Sequence, residues 1–259
     1  MEALRIDVGD ASLDVNAYGH DGPLVCLLPG LGGGIRRFTD LGNRLAAAGH
    51  RAMAINPRGA GTSTGPLDGL RMVDLADDVA GVIEHVGGPA VVVGNAFGNR
   101  VARFLAVHRP ELVSAVVLVC AGGEVPPEPE AARALAEFLD ESLTEEARLD
   151  AARRALFAPG RDVDPSFIDP GRSITAARAQ RAAARAEPAD GWLSGGSAPM
   201  LVVQGAEDRI APPENGHRLA RRWPDRVQVI DIAEAGHAVL NEQPHLVVEA
   251  VAAFIAEHA

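Results

Sequence analysis

Several short apolar runs constrain this chain more than any other feature: VCLL at 25–28, AVVV at 90–93, AVVLVC at 115–120 and MLVVQ at 200–204. They are nearly continuous in apolar character where a half-exposed strand would alternate, which is the texture of strands covered on both faces. RAMAIN at 51–56 and VQVIDI at 227–232 read as further strands. Between them lie helical patterns at 36–48, 72–86, 97–108, 213–223 and 244–257. In the third, Val101, Phe104, Leu105 and His108 follow the i, i+3, i+4, i+7 spacing of one helix face. Strand–helix alternation of this kind predicts an α/β fold, a mostly parallel doubly wound sheet with helices on both faces. Residues 4–8 and 12–18 alternate and are split by Gly9-Asp10. They add an antiparallel edge hairpin and bring the sheet to eight strands.

One region breaks the rhythm. Residues 124–197 contain no convincing strand, opening on EVPPEPE and closing on DGWLSGGSAP, both rich in connection-forming residues. Helix-like segments at 130–142, 144–157 and 173–186 fill it, with Leu135, Phe138, Leu139 and Leu143 making one apolar face. Acidic residues come early and arginines late, so the helices are expected to pair through charge. The expected division is a core of 1–123 and 198–259 with an inserted helical cap or lid at 124–197.

The formal charge of −11 excludes a nucleic-acid footprint, which needs a basic face. It also gives no pull toward anionic membranes. No apolar run reaches membrane-spanning length and MEALRIDVGD lacks a signal-peptide pattern, so a soluble cytoplasmic protein is expected. Every basic residue other than histidine is arginine; the absence of lysine excludes Schiff-base and P-loop chemistry. Cys26 and Cys120 lie in apolar runs without metal-ligand spacing, so no metal or organic cofactor is expected. A homodimer is left open.

Four motifs carry the chemistry. VGNAFGN at 93–99 has the layout of a sharp strand-to-helix turn, with Gly94 and Gly98 making room for strained backbone at Ala96. PGLGGG at 29–34 follows the third strand, where a glycine-rich turn lets a backbone amide approach a substrate oxygen. QGAEDR at 204–209 places Asp208 just past a strand end, with Glu207 a neighbouring competitor and Arg209 a salt-bridge alternative. AGHA at 235–238 places His237 before the terminal helix.

Together with NPRGAGTS at 56–63, LVVQGAEDRIAPP and AGHAVLNEQP, these stretches resemble the α/β-hydrolase fold family with a helical cap, over essentially the whole chain. NPRGAGTS is similar to the D-x-R-G-x-G-x-S segment of that family, with Asn56 replacing Asp. LLPGLGG is similar to its H-G-x loop, with Pro29 replacing His. The resemblance implies that Ala96 occupies the nucleophile position, where serine is expected in an active form. It likewise implies Asp208 as the acid, His237 as the general base, and the Leu31 and Phe97 amides as the oxyanion hole. An imidazole can take a hydroxyl proton and return it to a leaving group near neutral pH.

Alanine at 96 leaves three functions. The chain is a serine hydrolase of a small hydrophobic ester or lactone in an inactivated form. Alternatively, a His237–Asp208 dyad works without a nucleophile, as in lyase, cofactor-free oxygenase or C–C hydrolase chemistry. Or the chain is a non-catalytic ligand-binding member. An aspartate ancestor at 96, as in epoxide hydrolases and haloalkane dehalogenases, leaves the same trace, though serine is the commoner. Cys120 lacks an elbow and reads as core. The pocket is expected to include Gly30, Leu31, Phe97, Val239 and Leu240 from the core. Leu135, Phe138, Leu139, Leu156, Phe157 and Trp192 are expected from the cap. Arg36 and Arg37 leave a carboxylate-bearing substrate open.

Overall fold

The structure, a computed structural model, describes residues 1–168 and 171–258. Strand β1 (Glu2–Val8) turns back through Gly9, whose φ of 57° favours a residue without Cβ, into β2 (Ala11–Tyr18). The chain continues through β3 (Leu24–Leu28), α1 (Thr39–Ala47), β4 (Arg51–Ile55), α2 (Met72–Val86), β5 (Ala90–Asn95), α3 (Gly98–His108) and β6 (Val113–Val119). Three helices follow without an intervening strand: α4 (Pro129–Phe138), α5 (Glu145–Leu156) and α6 (Ile174–Ala186). The sheet resumes with β7 (Met200–Gly205), then α7 (Glu214–Arg222), β8 (Val227–Ile232), α8 (Val239–Glu242) and α9 (Pro244–His258). The eight strands form one sheet in the order β1-β2-β4-β3-β5-β6-β7-β8. Pairing from β4 through β8 is parallel, and β2 is antiparallel to both its neighbours.

The continuous apolar runs are explained by cover on both faces. Along β5, Ala90 and Val92 pack into the core beneath α2 and α3. Val91 and Val93 pack on the opposite side with Leu41 and Leu45 of α1 and Val251 and Phe254 of α9. Strand period two therefore sends alternate valines into two separate cores.

Local chemistry decides where the helices differ from the sequence expectation. The segment at 36–48 splits into a 3-10 turn at Ile35–Phe38 and then α1. The Ile35 amide is held by the Asn56 side chain (3.1 Å), which fixes the entry angle. α1 ends in a Schellman motif: the His50 amide donates to Leu45 O (3.0 Å) and the Gly49 amide to Ala46 O (3.1 Å), with Gly49 at φ 87°. α4 stops at Phe138, short of 142. Asp140 Oδ1 there accepts from both the amide and the hydroxyl of Ser142, offering the backbone a turn instead.

The helices between β6 and β7 pair only in part as their charges suggest. α4 packs on α5, with Arg154 bridging Glu137 (2.6 Å). The arginine-rich α6 instead docks on α2. Among the described residues, its arginines make no ion pair with α4 or α5.

The β5–α3 turn tolerates no added bulk. A Cβ on Gly98 falls 2.4 Å from the Leu28 carbonyl oxygen and one on Gly94 falls 2.4 Å from the Gly98 carbonyl carbon, both rigid backbone. Gly98→Ala is expected to lower folding stability in urea titrations by about 1–3 kcal/mol, the usual range for overpacking. Gly122→Ala, where nothing lies within 4 Å of the added carbon, serves as the control and leaves stability unchanged. Equal midpoints for the two variants contradict this account of the turn.

Candidate active site

The carboxyl ends of the parallel strands face one crevice, the usual ligand position of an open α/β sheet. Because β3, β5, β6, β7 and β8 are neighbours in that order, the loops after them stand side by side. The Gly30 loop, Ala96, Cys120, Asp208 and His237 lie on those five loops.

Ala96 sits at φ 50°, a left-handed conformation that costs a non-glycine residue about 1–2 kcal/mol. Its amide donates to Val119 O (3.0 Å), and the Asn99 amide turns back to Ala96 O (3.1 Å). From the first turn of α3, the Asn99 side chain reaches the carbonyls of Val119 (3.0 Å) and Cys120 (2.9 Å). The elbow is thus pinned to the end of β6, which itself turns through Cys120 at φ 57°.

His237 Nδ1 lies 2.8 Å from Asp208 Oδ2, with the Asp208 side chain fully buried and the imidazole mostly so. The other Asp208 oxygen accepts from the amides of Ile210 (2.9 Å) and Ala211 (2.8 Å). Gln204 Nε2 adds a bond to Oδ2 (3.1 Å), while its Oε1 accepts from the Ala121 amide (2.9 Å). Asp208 therefore caps its own turn and orients the imidazole, so the two roles are compatible. Glu207 points to solvent. Arg209 reaches the carbonyls of Arg154 (2.6 Å) and Phe157 (3.4 Å), leaving Asp208 to His237.

The Gly30–Gly34 loop is fastened from three directions. Asn56 accepts from the Ile35 amide and donates to Asp14 Oδ2 (2.8 Å). An aspartate in its place offers no hydrogen to that neighbouring carboxylate, so asparagine here is matched to Asp14. From α6, buried Gln180 accepts from the Gly32 amide (2.8 Å), and the Ser173 amide donates to Gly32 O (2.8 Å). Arg172 donates to Leu31 O (2.8 Å). Among the described residues, the Leu31 and Phe97 amides make no hydrogen bond to protein.

Two joined lobes open over Ala96 and His237. The smaller, about 90 Å³, is walled by Gly30, Leu31, Leu135, Phe138, Leu139 and Leu156, with Arg37 and Arg172. The larger, about 370 Å³, adds Phe97, Cys120 and Ile210 together with Arg100, Arg181 and Arg185. The sequence-expected Gly30, Leu31, Phe97, Leu135, Phe138, Leu139 and Leu156 come together here. Others do not. Val239 is buried beneath α9, and Leu240 borders a separate surface groove with Arg36. Phe157 packs edge-on against Phe167 in the core of the inserted helices. Trp192 lies behind the cavity, its ring 5.0 Å from the Arg100 guanidinium and 4.6 Å from that of Arg103. Its ring packs against these two guanidiniums and is absent from the cavity lining.

The clamps Asn99, Gln180 and Gln204 and the cavity arginines Arg100, Arg172, Arg181 and Arg185 escaped the sequence expectation, whereas Arg37, named there, does line the smaller lobe. Arg181 and Arg185, spaced i, i+4, signalled a shared helix face, but nothing local says what that face meets.

The chain matches the family model described as serine aminopeptidase, S33, over residues 20–244. It is 31% identical over 240 residues to a putative carbamate hydrolase of Variovorax paradoxus, covering 84% of this chain and 86% of that one. It is 28% identical over 206 residues to a 3-oxoadipate enol-lactonase of Acinetobacter baylyi, covering 76% and 75%. The crystal structure of an E-2-(acetamidomethylene)succinate hydrolase superposes with a TM-score of 0.77 at 27% identity, covering 98% of this chain and 99% of that one.

Cys120 donates its thiol to His237 O (3.2 Å) beside Asp208. Burial, reinforced by the Asp208 charge, pushes that thiol well above its ordinary value, and burial pushes Cys26 up to about 12. At pH 8 only about 1 in 10⁴ of Cys26 is then thiolate, the reactive form. Native protein at pH 8 is expected to resist iodoacetamide at both positions, with both labelled once unfolded, by peptide mass spectrometry. Because the fold favours the protonated thiols, their contribution to stability is complete below about pH 9 and declines as pH rises toward 12. Rapid labelling of folded Cys120 contradicts the burial of its thiol at the cavity floor.

Proposed function

The chain belongs to the serine aminopeptidase S33 family of α/β-hydrolases, and on that premise we propose that it carries the acyl-transfer machinery of an ester or lactone hydrolase, lacking only a nucleophile hydroxyl at Ala96. One observation carries this reading: the buried Asp208–His237 pair, bonded at 2.8 Å, shares a cavity with an elbow residue held at φ 50°. Alanine gains nothing from a left-handed backbone, so the strain at position 96 makes sense as the setting of a reactive side chain.

With serine at 96, Oγ attacks the carbonyl carbon while the imidazole takes its proton through Nε2. Asp208 holds Nδ1–H and stabilises the imidazolium. The developing oxyanion sits against the Leu31 and Phe97 amides, which among the described residues have no protein partner to give up. The imidazolium then protonates the leaving alcohol, and water repeats the sequence to release the acid. In this proposal residues 124–197 act as a cap over the core of 1–123 and 198–259. Leu135, Phe138, Leu139 and Leu156 shape the smaller lobe for an apolar portion of the substrate. Two of the relatives are named as an enol-lactonase and a putative carbamate hydrolase, hydrolases of a lactone and of a carbamate by those names. Among the described residues, no helix is long and apolar enough to cross a membrane.

Ala96→Ser is expected to raise kcat for p-nitrophenyl butyrate and for a medium-ring lactone by at least about 10³-fold over the Ala96 chain, since losing such a serine costs about 10⁶ elsewhere. Adding His237→Ala to Ala96→Ser abolishes the gain. A folded Ala96→Ser protein with no gain on either substrate class overturns the proposal. Turnover by the Ala96 chain equal to that of the serine variant instead assigns the chemistry to the His237–Asp208 dyad.

A further inference from the structure

The larger lobe has a one-sided charge. Arg100, Arg181 and Arg185 line it, and among the described residues no aspartate or glutamate does. In a chain of net charge −11 such a lining is not the average surface. Among the described residues none of these three guanidiniums has a carboxylate partner, whereas arginines elsewhere, such as Arg109, Arg154 and Arg221, are paired with acids.

Arg100 separates this arrangement from ordinary solvated arginines. It is half-buried on the first turn of α3, four residues beyond Ala96, and its guanidinium lies 5.0 Å over the Trp192 ring. Over the same ring, 4.6 Å from its centroid, lies Arg103, fully buried and bonded to the carbonyls of Asn99 (3.2 Å) and Gly122 (2.8 Å). Its remaining nitrogen Nη1 is buried without a hydrogen-bond partner among the described residues. Burial, with Arg100's charge adding, pulls the Arg103 guanidinium down to about 9, and burial pulls Arg100 down as well. Two largely desolvated cations thus share one aromatic ring, and among the described residues neither has a carboxylate partner, which is an unfavourable setting for a charge. An arriving anion relieves it. Arg181 and Arg185 stand one helical turn apart on the exposed face of α6 at the mouth, where they attract an anion at longer range.

We propose that the larger lobe is an anion subsite: Arg100, backed by Trp192, receives a carboxylate of the substrate, and Arg181 and Arg185 draw it in from the mouth. The planar guanidinium fork matches a carboxylate's two oxygens. The ligand class is an ester or lactone bearing a free carboxylate a few carbons from the reacting carbonyl. Its acyl carbon sits over position 96 and its carboxylate points toward α6. The assignment of this ligand as a substrate rests on the hydrolase reading above; the anion site itself does not.

The test uses monomethyl adipate, a monoanion, beside neutral dimethyl adipate. By calorimetry on the Ala96 chain in 50 mM salt, the monoanion is expected to bind at least about tenfold more tightly than the diester. That ratio shrinks in 500 mM salt. Arg181→Gln with Arg185→Gln, both at exposed positions where folding is not at risk, is expected to cut the ratio at least about fivefold. Arg100→Gln brings it near one. Arg178→Gln, on the same helix but outside the cavity lining, leaves the ratio unchanged. In the Ala96→Ser background the same preference appears in kcat/KM. Serine-variant turnover of both esters with equal kcat/KM, alongside equal binding, overturns the subsite and leaves the hydrolase reading standing. Arginine-dependent monoanion binding without turnover upholds the subsite and overturns the hydrolase reading.

Discussion

The close approach of Gly94 and Gly98 at the β5–α3 turn is the contact on which the rest of the site depends. With backbone where any side chain would have to fit, β5 can pass directly into α3 at the centre of the sheet. That passage forces residue 96 into left-handed backbone and lifts its side chain into the crevice. It also brings the N-terminus of α3, with the Phe97 amide unbonded among the described residues and its positive dipole end, beneath the same point. Everything assigned to chemistry stands within reach of that one bend because the strands flanking β5 are parallel and end at the same edge.

The glycine-rich loop after β3 depends on parts far from it in the chain. Asn56 after β4 holds one end; Arg172, Ser173 and Gln180 hold the other. The helices inserted between β6 and β7 are consequently part of the loop's support as well as walls of the cavity. The His237 loop is tied to them too, through the Ala238 amide and Leu156 O (2.8 Å). Any movement of the inserted helices acts on both halves of the site at once.

Much of this was legible from residue order. The eight strands, the positions of Ala96, Asp208 and His237 at strand ends, and the apolar face of Leu135, Phe138 and Leu139 follow from local pattern. Charge was not legible. The acidic-early, arginine-late division suggested helices pairing with one another, yet α6 docks on α2 and leaves Arg181 and Arg185 facing the cavity mouth. Trp192, expected in the wall, lies behind Arg100, where a large ring can flank two guanidiniums.

The sequence by itself determined the architecture and the chemical inventory, because a strand, a helix or a glycine turn is specified within a window of a few residues. Only the tertiary structure decided which charges lack partners, which apolar residues line a cavity and which amides stay unbonded. Those properties depend on contacts such as Gly32 with Gln180, 148 residues apart. Local pattern holds no record of such a pairing. It emerges when the sheet, the elbow helix and the inserted helices close on one another and exclude water from some arginines but not others.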